Sequence, residues 1–362
     1  MKSRRKYITA QIGIMFFIAA ELFKSIISNI SSRIDNFIVI IVLSAISPFI
    51  LIITYFSLCQ IMKISISEIG QLKKPIKPLS LLLIPLIAIV LLVIFTPITN
   101  WVRKLFDLII EKAFSKKVEP FNPFNPLRDL FGPTNSIFIA IFLFAVLPAL
   151  GEELIFRGAV LSGFKTIGTS KAVLLSALLF SLFHMNVDQT IYQFVLGIIL
   201  AVFVLISGSI VASILLHFLN NFFIILYTFL IEPKIGKALE NFGNKIYATD
   251  VVAILVGLVF LVILMYSFYY INRVQYIEHV EQVGEDDFKV AVKRESYFKG
   301  LGNWFKYMFT KRGMQRVNLA LDTYNDVPYI GTKHQPMISV YIVFALTGAW
   351  WIAELIIRIA QG

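Results

Sequence analysis

Apolar runs of about the length of a bilayer crossing alternate along this chain with shorter basic, mixed-charge or Pro-rich segments. A helix needs about 20 mostly apolar residues to cross a hydrocarbon core about 30 Å thick. Nine runs approach that pattern: 8–30, 36–59, 79–99, 136–163, 172–184, 191–206, 210–231, 251–271 and 337–359. None keeps a strict two-residue alternation, and lipid leaves only helices or closed barrels as spanning structures, so all nine are expected to be helical. The predicted fold is all-α, a polytopic transmembrane helical bundle of about 8–9 helices with a small cytoplasmic insert. Two runs, 172–184 and 191–206, are short for a full crossing; such segments usually lie inside the bundle or border a water-filled cavity.

Composition agrees: 58% of the 362 residues are hydrophobic, 15% are charged, and the mean hydropathy is +0.80. A soluble domain carries about 25% charged residues, so this excludes a water-soluble globule, and it equally excludes disorder. The single cysteine, Cys59, excludes a disulfide framework and any multi-cysteine metal site.

The net charge of +11 sits between the apolar runs. Lys2, Arg4, Arg5 and Lys6 precede the first run, Lys63, Lys73, Lys74 and Lys77 follow the second, and ten basic residues from Arg273 to Lys333 precede the last. This is a positive-inside pattern, not a nucleic-acid groove. It predicts a multi-pass protein of the cell (plasma) membrane with a cytoplasmic N-terminus. The first run is expected to be a retained span, because no small-x-small cleavage site follows it and Glu21 and Lys24 interrupt it. The expected organisation is 1–134, N-terminal spans with an interfacial and Pro-rich loop; 135–231, a helical core; 232–271, one further span; 272–336, a polar cytoplasmic insert; and 337–362, a final span. Within the loop, WVRKLFDLIIEKAF is amphipathic and expected to lie along the interface, and EPFNPFNPL reads as a rigid connector. GEDDFK and NWFKYMFTKRG mark the insert as a separate zone with aromatic and basic residues suited to anionic headgroups.

Ionisable groups inside a span cost at least about 2.5–3.5 kcal/mol at its centre, so clusters of them are functional candidates. Glu152, Glu153, Arg157, His184, His217, Asn220 and Asn221 all fall within 149–221, whereas His279 and His334 lie in the polar insert. Glu153 and Arg157 are four apart and meet on one helical face, while Glu152 is rotated by about 100° and has no opposite charge at helical spacing. Gly168 supplies a turn, with Glu152 sixteen residues before it and His184 sixteen after. Two antiparallel helices would therefore carry both side chains about 24 Å from the turn, at one height. Phe180, one turn before His184, would pack on the imidazole and exclude water. His217 and Asn221 share a face one turn apart, as two donors for a developing oxyanion would. Gly197 and Ala201 read as a close-packing face.

The order Glu152-Glu153-x-x-x-Arg157, Phe180-x-x-x-His184, His217-x-x-x-Asn221 resembles the signature of the CPBP family, which includes CAAX prenyl protease 2 and the bacteriocin-processing or Abi intramembrane proteases. The resemblance covers about 135–227. It implies an integral membrane endopeptidase acting on CAAX-type proteins or peptide precursors. In it Glu152 with His184 activates water, His217 and Asn221 form the oxyanion site, and Glu153 with Arg157 locks the helix. The implied partners are the lipid bilayer and a peptide or lipidated protein substrate, with no nucleic acid. No cofactor is expected, the competing reading being a zinc ion on Glu152, His184 and His217, although no HExxH occurs. The alternatives outside proteolysis are a non-catalytic immunity or partner-binding protein and an ion- or proton-coupled transporter using the same buried cluster; a transporter would be expected to show internal pseudo-symmetry, and none is visible.

Overall fold

The computed structural model describes residues 9–31, 33–34, 36–66, 76–114, 132, 135–186, 189–231, 248–283, 296–307, 310 and 337–361. The basic start, the EPFNPFNPL connector, GEDDFK and the stretch 311–336 with His334 lie outside the described residues. Among those described there is no strand. The helices are α1 (Ala10–Ser31), α2 (Phe37–Ile61), α3 (Pro78–Phe114), α4 (Asn135–Ile167), α5 (Thr169–Phe183), α6 (Thr190–Ser207), α7 (Ile210–Leu226, followed by a wide turn at Tyr227–Ile231), α8 (Ala248–Val283), α9 (Tyr297–Tyr307) and α10 (Ile338–Gln361).

The all-α polytopic bundle expected from the sequence is the fold. Among the described residues, seven helices are long and apolar enough to cross a membrane, and α5 and the 338–353 part of α10 are shorter apolar helices. One expectation of length needs correcting: α6 has 18 residues and joins the seven, because its helix takes in Thr190 and Ser207 at either end of the apolar run. The run at α5 stays short, since the helix begins at the Gly168 turn and stops at His184.

Two helices outrun their spans. The 37 residues of α3 are about 55 Å long, well over a hydrocarbon core. The amphipathic segment after Asn100, expected to lie along the interface, continues that helix as far as Phe114. Likewise α8 runs through Asn272 to Val283, so the boundary expected at 271/272 falls within a helix. On α8 sits α9: Tyr297 lies 5.3 Å from Tyr266 and 5.4 Å from Tyr270, and Trp304 5.3 Å from Tyr266 (ring centroids).

Large apolar side chains such as Leu22, Leu82, Val252 and Leu346 face outward, as a lipid-facing surface requires. At the centre is α4, packed by α1, α2, α5, α6 and α7. Close approach depends on missing side chains. A Cβ on Gly151 would lie 2.7 Å from the Pro48 carbonyl oxygen of α2, and one on Gly197 would lie 3.0 Å from Ala177 Cα of α5. The second contact falls at Gly197, one of the two residues expected to form a close-packing face.

Two tight hairpins set the register of the site. Gly168, at φ +111°, separates α4 from α5, and only Gly208 and Ser209 separate α6 from α7. Gly208 is left-handed, and its N–H donates to the Val204 carbonyl at 2.8 Å, closing α6.

Candidate active site

The sequence of α4 bends its own hydrogen-bond ladder around the two glutamates. Pro148 has no N–H to give the Phe144 carbonyl, and the helix widens to π geometry over Phe142–Val146. Regular α-helix returns at Leu147–Glu153, and a second π stretch follows at Leu154–Val160. Glu152 and Glu153 thus end the short α-helical stretch between two wide segments, a distortion that recurs at functional sites. The carbonyl that Pro148 leaves unserved accepts from Asn221 Nδ2 of α7 at 3.1 Å.

Glu153 is fully buried and saturated with donors. Arg157 Nη1 stands 2.7 Å from Oε1 and His217 Nδ1 2.9 Å from the same oxygen, while the Ser213 hydroxyl donates to Oε2. Arg157 also donates through Nη2 to the Gly197 carbonyl at 3.3 Å and lays its guanidinium 4.2 Å from the Phe180 ring centroid. Glu153 therefore ties α4 to α7, and Arg157 ties α4 to α5 and α6. A charge so buried persists only with this degree of pairing.

Glu152, one residue earlier, points elsewhere. Its Oε2 lies 3.5 Å from His184 Nε2 and 4.0 Å from His217 Nε2, and it has no hydrogen-bond partner within the protein. The neighbours of the two imidazoles explain why. His184 Nδ1 is 2.7 Å from the Phe180 carbonyl, which only accepts, so the proton sits on Nδ1. His217 Nδ1 faces the Glu153 carboxylate, which requires the same tautomer. In their neutral forms both rings turn an Nε2 lone pair toward a carboxylate oxygen. Three acceptors thus converge with no protein donor among them, an arrangement satisfied by a proton or by a small donor such as water. Side-chain exposure falls from His184 (20%) through Glu152 (13%) to His217 (3%), so the approach to this point is from the His184 side.

The predicted residues therefore assemble, in two shells. Glu152, His184 and His217 meet around one point, with Glu153 and Arg157 behind them. Phe180 stands between, its ring centroid 4.7 Å from that of His184 and 5.7 Å from that of His217. Asn221 is one turn beyond His217 on α7, and one of its two amide hydrogens is already given to Phe144.

Three contributors escaped the sequence reading. Ser213 lies four residues before His217, a spacing that marks it as belonging to the same stripe. Tyr192 of α6 donates to Asn220 Oδ1, and Asn220 Nδ2 donates to Asn221 Oδ1 at 3.2 Å, a relay across two helices. The Gly197 carbonyl is a backbone group and leaves no signal in residue identity.

As for metal, no group of three or more His, Cys, Asp or Glu side chains among the described residues is arranged to hold an ion.

No curated protein and no solved structure matches the chain. A family model does: residues 134–223, which hold every charged and imidazole group of this site, match type II CAAX prenyl endopeptidase Rce1-like proteins. That segment is similar to CAAX-type intramembrane endopeptidases, and with its apolar helices the protein is an integral, multi-pass membrane protein.

Proposed function

We propose that the protein hydrolyses a peptide bond near the C-terminus of CAAX-type or peptide-precursor substrates, without a metal, using a water held by Glu152 and His184. The observation that carries this reading is the convergence of Glu152 Oε2 and the two Nε2 atoms, 3.5 and 4.0 Å away, on a point that lacks a protein donor. A water there donates to the carboxylate and to an imidazole at once, and either can take its proton.

The water oxygen bonds to the scissile carbonyl carbon while its proton passes to Glu152 or His184. The carbonyl oxygen becomes an oxyanion, which accepts from His217 Nε2–H when that ring carries both protons and from the second Nδ2 hydrogen of Asn221. The proton returns to the amide nitrogen, the C–N bond breaks, and a carboxylate and an amine leave. Glu153 and Arg157 do not touch the reacting atoms; they orient His217 and α4. Phe180 and the surrounding apolar helices limit bulk water.

The test is hydrolysis of a quenched CAAX-type peptide by protein reconstituted in bilayers. Cleavage by wild type and none by a folded Glu152→Gln protein is expected. No cleavage by either, with unaltered binding of a partner protein, would favour a non-catalytic membrane role.

A further inference from the structure

One buried charge near the site has no part in the chemistry above. On α1 the inward-facing stripe Gly13, Phe17 and Ala20 is small or aromatic, and the next member, one turn on, is Lys24. A cation in that stripe, inside an apolar helix of a membrane protein, calls for a functional reason. Its Nζ is shielded from solvent and lies 4.1 Å from the Phe183 ring centroid, and its charge reaches Glu21 and His184.

The register of α1 on α4 locates it. Gly13 lies against the backbone of Ala159 and Val160, and Phe17 against Phe156 at 6.1 Å between centroids. Contacts descend α4 as they ascend α1, so the helices are antiparallel. The same register brings Glu21 level with Glu152 and sets Lys24 three residues, about 4.5 Å, beyond it. Phe183 sits between Lys24 and the site, its ring 6.1 Å from that of His184. The ammonium therefore stands no more than about 10 Å from the imidazole, a distance that three extended residues or fewer cover.

We propose that Lys24 seats the α-carboxylate of the substrate, so that the chain end is held on α1 while a bond no more than about three residues upstream reaches Glu152 and His184. The inference rests on the endopeptidase reading and adds what sets the cleavage position. Glu21, three residues earlier on the same helix, attracts the ammonium in the free protein. A carboxylate bound there gains charge-assisted hydrogen bonds from the ammonium.

Binding separates this inference from the chemistry. A fluorescent peptide ending in a prenylated cysteine, two aliphatic residues and methionine, made as free acid and as C-terminal amide, is titrated into Glu152→Gln protein in zwitterionic nanodiscs. The acid is expected to bind about ten-fold or more tighter than the amide. Adding Lys24→Met should bring the two peptides within about two-fold, by weakening the acid alone, and Lys24→Arg should restore a preference. Equal binding of acid and amide, a preference that survives Lys24→Met, or no binding of the acid would overturn the proposal. A Lys24 effect that appears only with anionic lipid, irrespective of the peptide terminus, would assign the lysine to a headgroup instead. Hydrolysis by the Glu152-intact protein is scored separately: if Lys24 governs binding and no cleavage occurs, the protease reading fails and the carboxylate seat stands.

Discussion

Glu152 Oε2 and His184 Nε2 stand 3.5 Å apart on opposite arms of the Gly168 hairpin, and both present lone pairs to the gap. A pair arranged this way costs free energy unless a donor enters, so it reads as a prepared binding point rather than a structural clasp. Replacing His184 with Ala is expected to lower kcat by about 10²–10⁴-fold. Because its hydrogen bond is to the Phe180 carbonyl of its own helix, the melting temperature should change by only about 2 °C or less. Steady-state kinetics alongside thermal unfolding in detergent checks both halves.

Glu153 should behave in the opposite way. Its carboxylate serves Arg157, His217 and Ser213 in full burial, and Glu153→Ala leaves the guanidinium without its counter-charge. The expected loss is about 3–5 kcal/mol of stability, measured by unfolding in mixed micelles, with activity lost as a consequence. A folded, inactive Glu153→Ala protein would place it in the chemistry instead.

Ser213→Ala removes one donor from a buried anion, at a cost of about 1.5–3 kcal/mol. It also loosens the carboxylate that orients His217. The account therefore expects a fall in kcat with KM little changed, and recovery in Ser213→Thr, which keeps the hydroxyl; a rise in KM alone would contradict it.

Asn221 combines two tasks that one double variant can separate. Asn221→Ala strands the Phe144 carbonyl, for about 1–3 kcal/mol, and removes the proposed oxyanion donor, for about 10²–10³ in kcat. Pro148→Ala returns an N–H to that carbonyl. In the double variant stability should recover and kcat should not; recovery of both would reduce Asn221 to a cap.

The hairpin arithmetic succeeded because both arms are rigid rods with a common origin at Gly168, and a constant rise per residue converts sequence distance into height. The same regularity made Glu153 with Arg157 legible. It could not foresee the wide turns of α4, although Pro148 signals the first of them. Nor could it foresee that Asn221 is bonded to the carbonyl Pro148 deserts, because that pairing depends on how α7 packs on α4. Polarity and helicity part company in two places. The tail of α3 is amphipathic yet stays in the helix, and α8 carries helical structure past the last apolar residue of its span. Ser213 was within reach of a stripe count along α7, whereas the Gly197 carbonyl belongs to the backbone and has no residue-type signature.

The central claim is a water activated by Glu152 without a metal, and the most direct measurement is cleavage of a quenched CAAX-type peptide by purified wild-type and Glu152→Gln proteins in bilayers containing a strong zinc chelator. The account predicts undiminished cleavage by wild type in the chelator and none by Glu152→Gln at an unchanged melting temperature. Loss of wild-type activity to the chelator with recovery on adding zinc, or cleavage by Glu152→Gln at the wild-type rate, would contradict it.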